Sequence, residues 1–388
     1  MISTLLKKYA LVSAFLGVFV AWAISAQASG SDPVSQSDSL VAHDSPGHEA
    51  EGEFNAGEMI IEHIIDAHEW HIFTWKGHHV SIPLPVILLD EGKLVLFSSA
   101  HLHYGETYKG YKLESEGANK GRIVKVSSGE DHSESVTVPL DFSITKTVLS
   151  LFIGSLLLLL IFLSAAKRYK TNPNRAPKGF QSLVEPLILF VRDDVAIPAI
   201  GKKKYLKYMP YLLTIFFFIF LNNLMGLIPI FPGGVNLTGN LAITMVLAVF
   251  TFLITTFSGN RSYWIHIINT PGVPWWLKIP VPLMPVVEII GLITKPFVLM
   301  VRLFANITAG HIILLGFMSL IFIFGSMSPW IGVAVSPVSI LFGVFMTLLE
   351  LLVAFIQAYV FTLLSAIYFG MAVEEHHHEH VPGSDDHH

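Results

Sequence analysis

The C-terminal 240 or so residues alternate between long apolar runs and short charged segments, a pattern typical of a polytopic membrane protein. Three uncharged runs, 148–166, 211–231 and 241–257, are each close to the ~20 residues that a helix needs to cross a bilayer. Two further runs, at about 281–325 and 333–373, are each about 60 Å long if helical, against a hydrocarbon core of about 30 Å. We predict an all-α membrane domain with five crossings, the last two long, strongly tilted and side by side.

Residues 179–196 have a different pattern. Apolar residues recur there at helical spacing, but Glu185, Arg192, Asp193 and Asp194 interrupt any continuous apolar stretch. The pattern predicts a helix lying on the cytoplasmic surface of the membrane. A linker helix packed on the membrane domain would give the same pattern.

Residues 29–143 are polar and contain strand-like runs at 79–89, 93–99 and 121–128 between stretches rich in Gly, Ser and Asp. We predict a small extramembrane region that is β-rich or partly disordered. It holds ten of the 18 histidines, namely His43, His48, His63, His68, His71, His78, His79, His101, His103 and His132.

The N-terminus resembles a signal peptide, with Lys7 and Lys8 before an apolar stretch and a small-residue cleavage motif at Ala26–Ala28. An uncleaved membrane anchor is the alternative, and both place residues 29–143 outside. Basic residues after the first span, including Lys167 and Arg168, then mark the cytoplasmic side. The predicted organisation is a signal peptide (1–28), a periplasmic His-rich extension (29–143), a membrane domain (144–373) and a His-rich cytoplasmic tail (374–388).

Composition supports this assignment and excludes several classes of site. Charged residues make up 14% of the chain, whereas soluble domains have about 25%. The net charge of −5 carries no sign of nucleic-acid binding, and the lack of cysteine excludes disulfides, zinc–thiolate sites and cysteine nucleophiles.

A few ionisable side chains lie within the two long apolar runs, where each charge costs about 2.5–3.5 kcal/mol on insertion scales. They are Glu288, Lys295, Arg302, His311 and Glu350, with the amides Asn306 and Gln357. At about 100° per residue, Glu288, Lys295, Arg302 and Asn306 form one stripe, and His311 lies roughly opposite to it. Glu350 and Gln357 share a face of the second long helix.

Ordinary structural roles are open for most of these residues. Glu288 and Lys295 could form a polar ridge, His311 could be a hydrogen-bonded core residue, and Asn306 or Gln357 could join helices. Arg302 differs because it cannot deprotonate, so it needs a carboxylate partner. A permanent pair with Glu350, the only carboxylate deep in the second long run, is the main structural alternative.

Two segments resemble a known family. "KPFVLMVRLFANITAGHII" and "LLELLVAFIQAYVFTLL" are similar to subunit a of rotary F-type ATP synthases, the membrane stator subunit, over about residues 145–372. "LNNLMGLIPI" and "NLAITMVLAVF" resemble the family's earlier hairpin. The resemblance implies that Arg302 faces the carboxylates of the c-ring, with Asn306 and Gln357 as polar neighbours. It implies that His311 and Glu350 line the half-channel on the side of the N-terminal domain, and that Glu288 and Lys295 lie near the cytoplasmic half-channel.

The same resemblance implies a proton-translocating subunit that couples proton flow to ring rotation and ATP synthesis, and that is not catalytic on its own. The implied partners are the c-ring proteolipids, b-type peripheral stalk subunits, the bilayer of a bacterial inner membrane and, indirectly, the F1 sector. No cofactor or metal is implied. Gly226 stands where many bacterial members have aspartate, and Thr238–Gly239–Asn240 occupies another usually acidic position.

Two other functions are compatible with parts of the sequence. The His-rich extension and the tail "EEHHHEHVPGSDDHH" suggest a metal-cation transporter, but only His311 lies deep in a span. A membrane anchor for a periplasmic binding domain would leave Arg302 unexplained.

Overall fold

The computed structural model describes residues 66–75, 78–114, 121–128, 134–171, 179–228, 231–268 and 283–374, together with residues 56, 57, 60 and 119. The predicted signal peptide, the tail after Glu374 and the histidines at 43, 48, 63 and 132 lie outside these ranges.

Five helices in the described part of the chain are long and apolar enough to cross a membrane, as predicted. Each contains a long apolar stretch with few charged residues, and two short helices lie between them. In chain order the helices are α1 (Lys146–Thr171), α2 (Phe180–Phe190), α3 (Tyr205–Leu227), α4 (Leu241–Ser258), α5 (Arg261–Ile268), α6 (Leu283–Met327) and α7 (Pro329–Val373).

The two long helices are as long as the sequence predicts. α6 and α7 each have 45 residues, about 68 Å at 1.5 Å per residue, and only Ser328 separates them. Pro329 suits the first position of α7, where its missing N–H costs nothing. A Cβ on Gly332 would lie 2.7 Å from the Cα of Gly325, so two glycines allow the helices to meet closely at the turn. Their tilt in a membrane stays a prediction.

The extramembrane region is β-rich, as predicted. Its three small antiparallel sheets have the strand orders β1-β2, β4-β3-β8 and β5-β6-β7. Val86, Leu88, Leu102, Tyr111 and Ile123 form its buried core. The strands are β1 (Glu69–Trp75), β2 (His78–Pro83), β3 (Pro85–Asp90), β4 (Lys93–Ser98), β5 (Tyr111–Leu113), β6 (Ile123–Ser128), β7 (Glu134–Thr137) and β8 (Leu140–Asp141).

The junction between this region and α1 is held by polar contacts. Asp66 accepts a hydrogen bond from the backbone N–H of Thr147, in the first turn of α1. His68 Nε2 lies 2.7 Å from Asp141 Oδ2, and the N–H of Ser143 donates to the other oxygen of Asp141. Burial opposes ionisation of Asp141, but the contacts with His68 and Ser143 outweigh it and hold its pKa below the usual value. The carboxylate therefore stabilises the folded junction when ionised.

Residues 179–196 are helical, as predicted. α2 continues through a π-helical segment, Val191–Ala196, and a last turn, Ile197–Ile200, before Gly201 ends it at φ 90°. Val191 and Val195 are fully buried, and the Phe190 ring lies 5.4 Å from that of Tyr359 in α7. This face is packed on protein, as in the linker-helix alternative, whereas the proposed location at the membrane surface stays untested.

The chain divides into two compact units. The first contains the extramembrane strands, α1 and the segments Phe216–Val246 and Met300–Ala358. The second contains Pro177–Ile215, Leu247–Leu299 and the residues from Tyr359 onward. In the second unit, Lys204 Nζ and Asn260 Nδ2 donate to the backbone carbonyl of Val373 at 2.8 and 2.9 Å, and so satisfy the C-terminus of α7.

Candidate functional site

Within the first unit, α6 and α7 run side by side and antiparallel, as the sequence predicts. The rings of Phe317 and Phe342 stack with centroids 5.2 Å apart. Further along, the position of a Cβ on Gly310 lies 2.7 Å from Glu350 Oε1. Residue numbers fall along α7 as they rise along α6, so one register describes this whole helix pair.

His311 and Glu350 meet across this pair of helices. His311 Nδ1 lies 3.3 Å from Glu350 Oε1, and the two side chains are 18% and 8% exposed. Neither this histidine nitrogen nor either carboxylate oxygen has a hydrogen-bond partner among the described residues. Buried polar atoms are normally satisfied, so this pair has unused capacity to exchange or bind a proton or water.

Gly310 is a site residue that the sequence analysis missed. A Cβ there would collide with the Glu350 carboxylate, so the glycine makes room for the buried acid beside His311. The only signal in the sequence is the small-residue segment Thr308–Ala309–Gly310 just before the histidine, which is also typical of simple helix packing.

Arg302 and Asn306 lie on a different face of α6 and are exposed, which agrees with the predicted separation from His311. In the described part of the chain, Arg302 makes no ion pair. The register places it nine residues, or about 13 Å, beyond the level of the His311–Glu350 contact. The structure therefore contradicts a permanent Arg302–Glu350 pair, because Glu350 faces His311 instead.

In the first unit, the face of α6 that carries Arg302 and Asn306 is otherwise apolar and uncovered. In the most apolar windows of α6 and α7, 11% and 22% of residues are buried, against 39–50% in α1, α3 and α4. Ile313, and Val298 just before this unit begins, share this face of α6 by helical spacing and are 45% and 44% exposed. Gln357, in contrast, is 4% exposed and is buried like Glu350. A charged guanidinium on an exposed apolar helix face requires a partner from outside the described part of the chain.

Glu288 and Lys295 lie in the second unit, in the part of α6 before residue 300. The Lys295 ammonium lies 5.7 Å from the ring centroid of Tyr368 in α7. Burial raises the pKa of the Tyr263 hydroxyl, and the negative charge of Glu288 raises it further. A cleft here has a mixed lining. Its residues are the polar Thr251, Thr255, Tyr263, Lys295 and Tyr368 and the apolar Phe252, Leu292, Pro296 and Met371.

A neutral polar cluster occupies the end of α3. Thr238 donates a hydrogen bond to the side-chain carbonyl of Asn223, and both residues are buried. A Cβ on Gly226 would lie 3.2 Å from the carbonyl oxygen of Val235. The close approach of the 231–240 loop thus leaves little room for a side chain at position 226. The paired amides Asn222 and Asn223 in an apolar span were the sequence signal for this cluster.

The comparisons with known proteins decide the family. The family model described as ATP synthase A chain matches residues 148–370, more than half of the chain. The chain belongs to the ATP synthase A chain family. The chain is 43% identical to "ATP synthase subunit a 2" of Prosthecochloris aestuarii, over 73% of this chain and 85% of that protein.

Other relatives agree. The "ATP synthase subunit a" of Chloroherpeton thalassium is 45% identical over 62% of this chain and 72% of its own length. That of Myxococcus xanthus is 44% identical over 63% of this chain and 78% of its own length. The ATP synthase A chain match includes all seven predicted site residues, whereas residues 59–142 match a separate domain of unknown function (DUF8433). Among the described residues there is no group of three or more His, Cys, Asp or Glu suited to a metal ion.

Proposed function

We propose that this chain is the proton-translocating stator subunit of an F-type ATP synthase. It supplies the arginine that faces the c-ring carboxylates and the two half-channels through which protons reach and leave the ring. The observation that carries the proposal is the exposed Arg302, without an ion-pair partner among the described residues, on an uncovered apolar face of a membrane-spanning helix.

The role of Arg302 follows from its charge and position. A ring carboxylate that has lost its proton is costly in lipid and stable beside a guanidinium. Because Arg302 does not titrate, it cannot pass protons directly between the half-channels. It holds each ionised carboxylate until that carboxylate is protonated and re-enters the lipid, which makes ring rotation the only route across. Asn306, on the same exposed face, is a polar neighbour that contacts the same carboxylate.

His311 and Glu350 form the relay on the side of the N-terminal domain. Both side chains gain and lose protons, and they lie 3.3 Å apart in a mostly buried setting. A proton arriving from outside passes through this pair to the ring carboxylate. Gln357, buried in α7, is a polar neighbour of Arg302. The driving force is about 2.3 kcal/mol per charge per 100 mV of membrane potential.

Glu288 and Lys295 serve the opposite half-channel, where protons leave the ring toward the cytoplasm. Their support is the contact of the Lys295 ammonium with the Tyr368 ring and the electrostatic interaction of Glu288 with the Tyr263 hydroxyl, both in the second unit. In this assignment the N-terminal region is periplasmic, the C-terminus is cytoplasmic and the membrane is a bacterial inner membrane. The subunit works with the c-ring, b-type stalk subunits and, indirectly, the F1 sector, and has no catalytic site of its own.

The test is ATP-driven proton pumping by the assembled complex in membrane vesicles. Arg302→Ala should abolish pumping, because ionised ring carboxylates lose their partner. Arg261→Ala, which removes an exposed arginine outside the spans, is the matched control and should pump normally. Normal pumping by the Arg302→Ala complex would show that this chain is not the stator subunit. Zn²⁺ uptake by the vesicles that Arg302→Ala leaves unchanged would instead favour the metal-transporter alternative.

A further inference from the structure

The extramembrane domain has no role in the mechanism above, although it touches the membrane domain at one informative point. The ring of Trp70, in β1, lies 5.0 Å from that of Phe231 in an edge-to-face contact at 69°. Trp70 is 5% exposed, so most of its surface is covered. Phe231 begins the loop of residues 231–240 that joins α3 to α4. Edge-to-face pairs of this kind are a favoured aromatic geometry that orients both partners.

That loop folds back onto the end of α3. The N–H of Gly234 donates to the carbonyl of Met225 at 3.2 Å, and the Val235 carbonyl closely approaches Gly226. Val235 and Leu237 are 6% and 1% exposed, so the loop is an integral part of the membrane domain. The position of the loop decides whether the polar cluster beneath it is assembled, because the loop provides Thr238, the donor to Asn223.

The polar cluster has hydrogen-bonding capacity that the described protein groups do not fill. Asn222 Oδ1, Asn223 Nδ2 and Ser155 Oγ are buried without a hydrogen-bond partner. Asn222 is turned toward α1, where a Cβ on Gly154 would lie 2.2 Å from its Oδ1. Buried polar groups of this kind bind ordered water, and a chain of such waters conducts protons without any carboxylate.

The cluster lies near the His311–Glu350 pair along two packed helices. The ring of Phe220 in α3 is 5.9 Å from that of Phe355 in α7. Asn223 is less than one helical turn from Phe220, and Glu350 is about one and a half turns from Phe355. The neutral cluster and the titratable pair are therefore neighbouring polar sites in the first unit.

A second set of contacts attaches the extramembrane domain to the start of α1. Asp66 accepts from the N–H of Thr147, and the carbonyl of Ala67 accepts from the N–H of Lys146. His68 contacts Asp141 five residues before α1 begins. Residues 66–70 thus connect the start of α1 to Phe231, and the extramembrane domain is held at two points rather than tethered by one strand.

We propose that the extramembrane domain is a cap that fixes the 231–240 loop. By doing so it keeps the neutral polar cluster of Asn222, Asn223, Thr238 and Ser155 assembled as the water-binding route to His311 and Glu350. This assigns a function to the part of the chain that matches a domain of unknown function. It rests on the proposed function, since it concerns the proton route of the same subunit.

The test uses the absence of cysteine from the chain. Val235→Cys places a single thiol at a buried loop position, and its reaction with a maleimide is followed in the intact complex in lipid nanodiscs. Trp70→Ala or Phe231→Ala should speed this labelling by about tenfold, the size of effect expected when one aromatic contact holding a closed state is lost. Without the Val235→Cys reporter, the same two variants should pump protons several-fold more slowly.

Three variants make the result specific. Trp70→Phe keeps an aromatic ring, so this variant should label slowly and pump at the normal rate. Leu94→Ala changes an exposed residue (61%) of the same domain, away from the loop, and should alter neither. Phe231→Ala is made in the loop, so it tests the contact even where Trp70→Ala unfolds the domain.

Unchanged labelling in both alanine variants would overturn the proposal, as would faster labelling with unchanged pumping. An effect of Trp70→Ala that Phe231→Ala does not share would also overturn it, since the contact would then not be what holds the loop. Arg302→Ala in the same preparation keeps the two proposals apart. If it abolishes pumping while the cap variants pump normally, only the cap fails; if it pumps normally, the stator assignment fails.

Discussion

The described part of the chain contains two contacts between a histidine and a carboxylate, and they differ in how many hydrogen bonds their oxygens accept. His68 and Asp141 lie 2.7 Å apart, and the N–H of Ser143 supplies a further donor to Asp141. His311 and Glu350 lie 3.3 Å apart, and neither oxygen of Glu350 accepts a hydrogen bond from a described residue. The first pair joins the extramembrane sheet to α1, and the second lies between two membrane-spanning helices.

The difference separates a structural pair from a candidate proton relay. A carboxylate whose oxygens already accept good hydrogen bonds is held in its ionised form and stabilises its surroundings. A buried carboxylate with unfilled capacity costs free energy, and such a cost is typical of functional sites. Both pairs consist of an imidazole and a carboxylate. Matched substitutions in the two pairs therefore test this distinction directly.

The largest expected effect is on proton pumping when the inner pair is broken. His311→Leu or Glu350→Gln should lower ATP-driven pumping by about tenfold or more, because each removes a titratable group from the relay. His68→Gln and Asp141→Asn, the equivalent changes in the outer pair, should leave pumping within about twofold of the unchanged protein, because the Trp70–Phe231 contact still holds the 231–240 loop. Pumping and its pH dependence are measured in vesicles. Normal values for His311→Leu would rule out the proposed relay.

The next effect concerns the glycine that makes room for Glu350. Gly310→Ala should reduce pumping several-fold, because its methyl group would lie 2.7 Å from Glu350 Oε1 and displace the carboxylate from His311. Gly316→Ala is a matched control in the same helix, since a Cβ there has no neighbour within 4 Å. Equal activity of the two variants would mean that the position of Glu350 is not critical.

For local stability we expect the outer pair to matter more than the inner pair, the reverse of the order expected for pumping. Asp141→Asn should destabilise the junction by about 1–2 kcal/mol, because it weakens hydrogen bonds to a charged group. Glu350→Gln should cost less, since no described donor is bonded to its oxygens. Hydrogen exchange of residues 85–90 and 140–143, and of the α6–α7 segments around the inner pair, measures both. Greater local opening around Glu350→Gln would contradict the distinction between the pairs.

The smallest effect is the pH dependence of the junction. The pKa of Asp141 lies below its usual value in the folded protein, so the unfolded chain takes up a proton more readily. The stabilisation is therefore present above the ordinary Asp value of about 4 and is lost as the pH falls further. Hydrogen exchange at the junction, corrected for its intrinsic pH dependence, should show this loss. Asp141→Asn should remove it, and an unchanged profile would contradict the assignment.

Several features could be predicted because they depend on local pattern. The five spans follow from runs of apolar residues, which must be helical wherever water is absent to satisfy the backbone. Helical spacing alone separates Arg302 and Asn306 from His311, and the structure places the first two on an exposed face and the third toward α7. The β-rich character of the extramembrane region follows from its short alternating runs.

Other features depend on which residues meet across helices, and a single sequence does not contain that information. Whether Glu350 faces His311 or Arg302 is set by the register of α6 against α7, which shape complementarity at Gly325, Gly332 and Gly343 defines. The space beside Gly310, the neutral cluster at Asn223 and Thr238, and the Trp70–Phe231 contact have the same origin. Periodicity specifies the direction of a side chain from its own helix axis, whereas only tertiary packing specifies its partner.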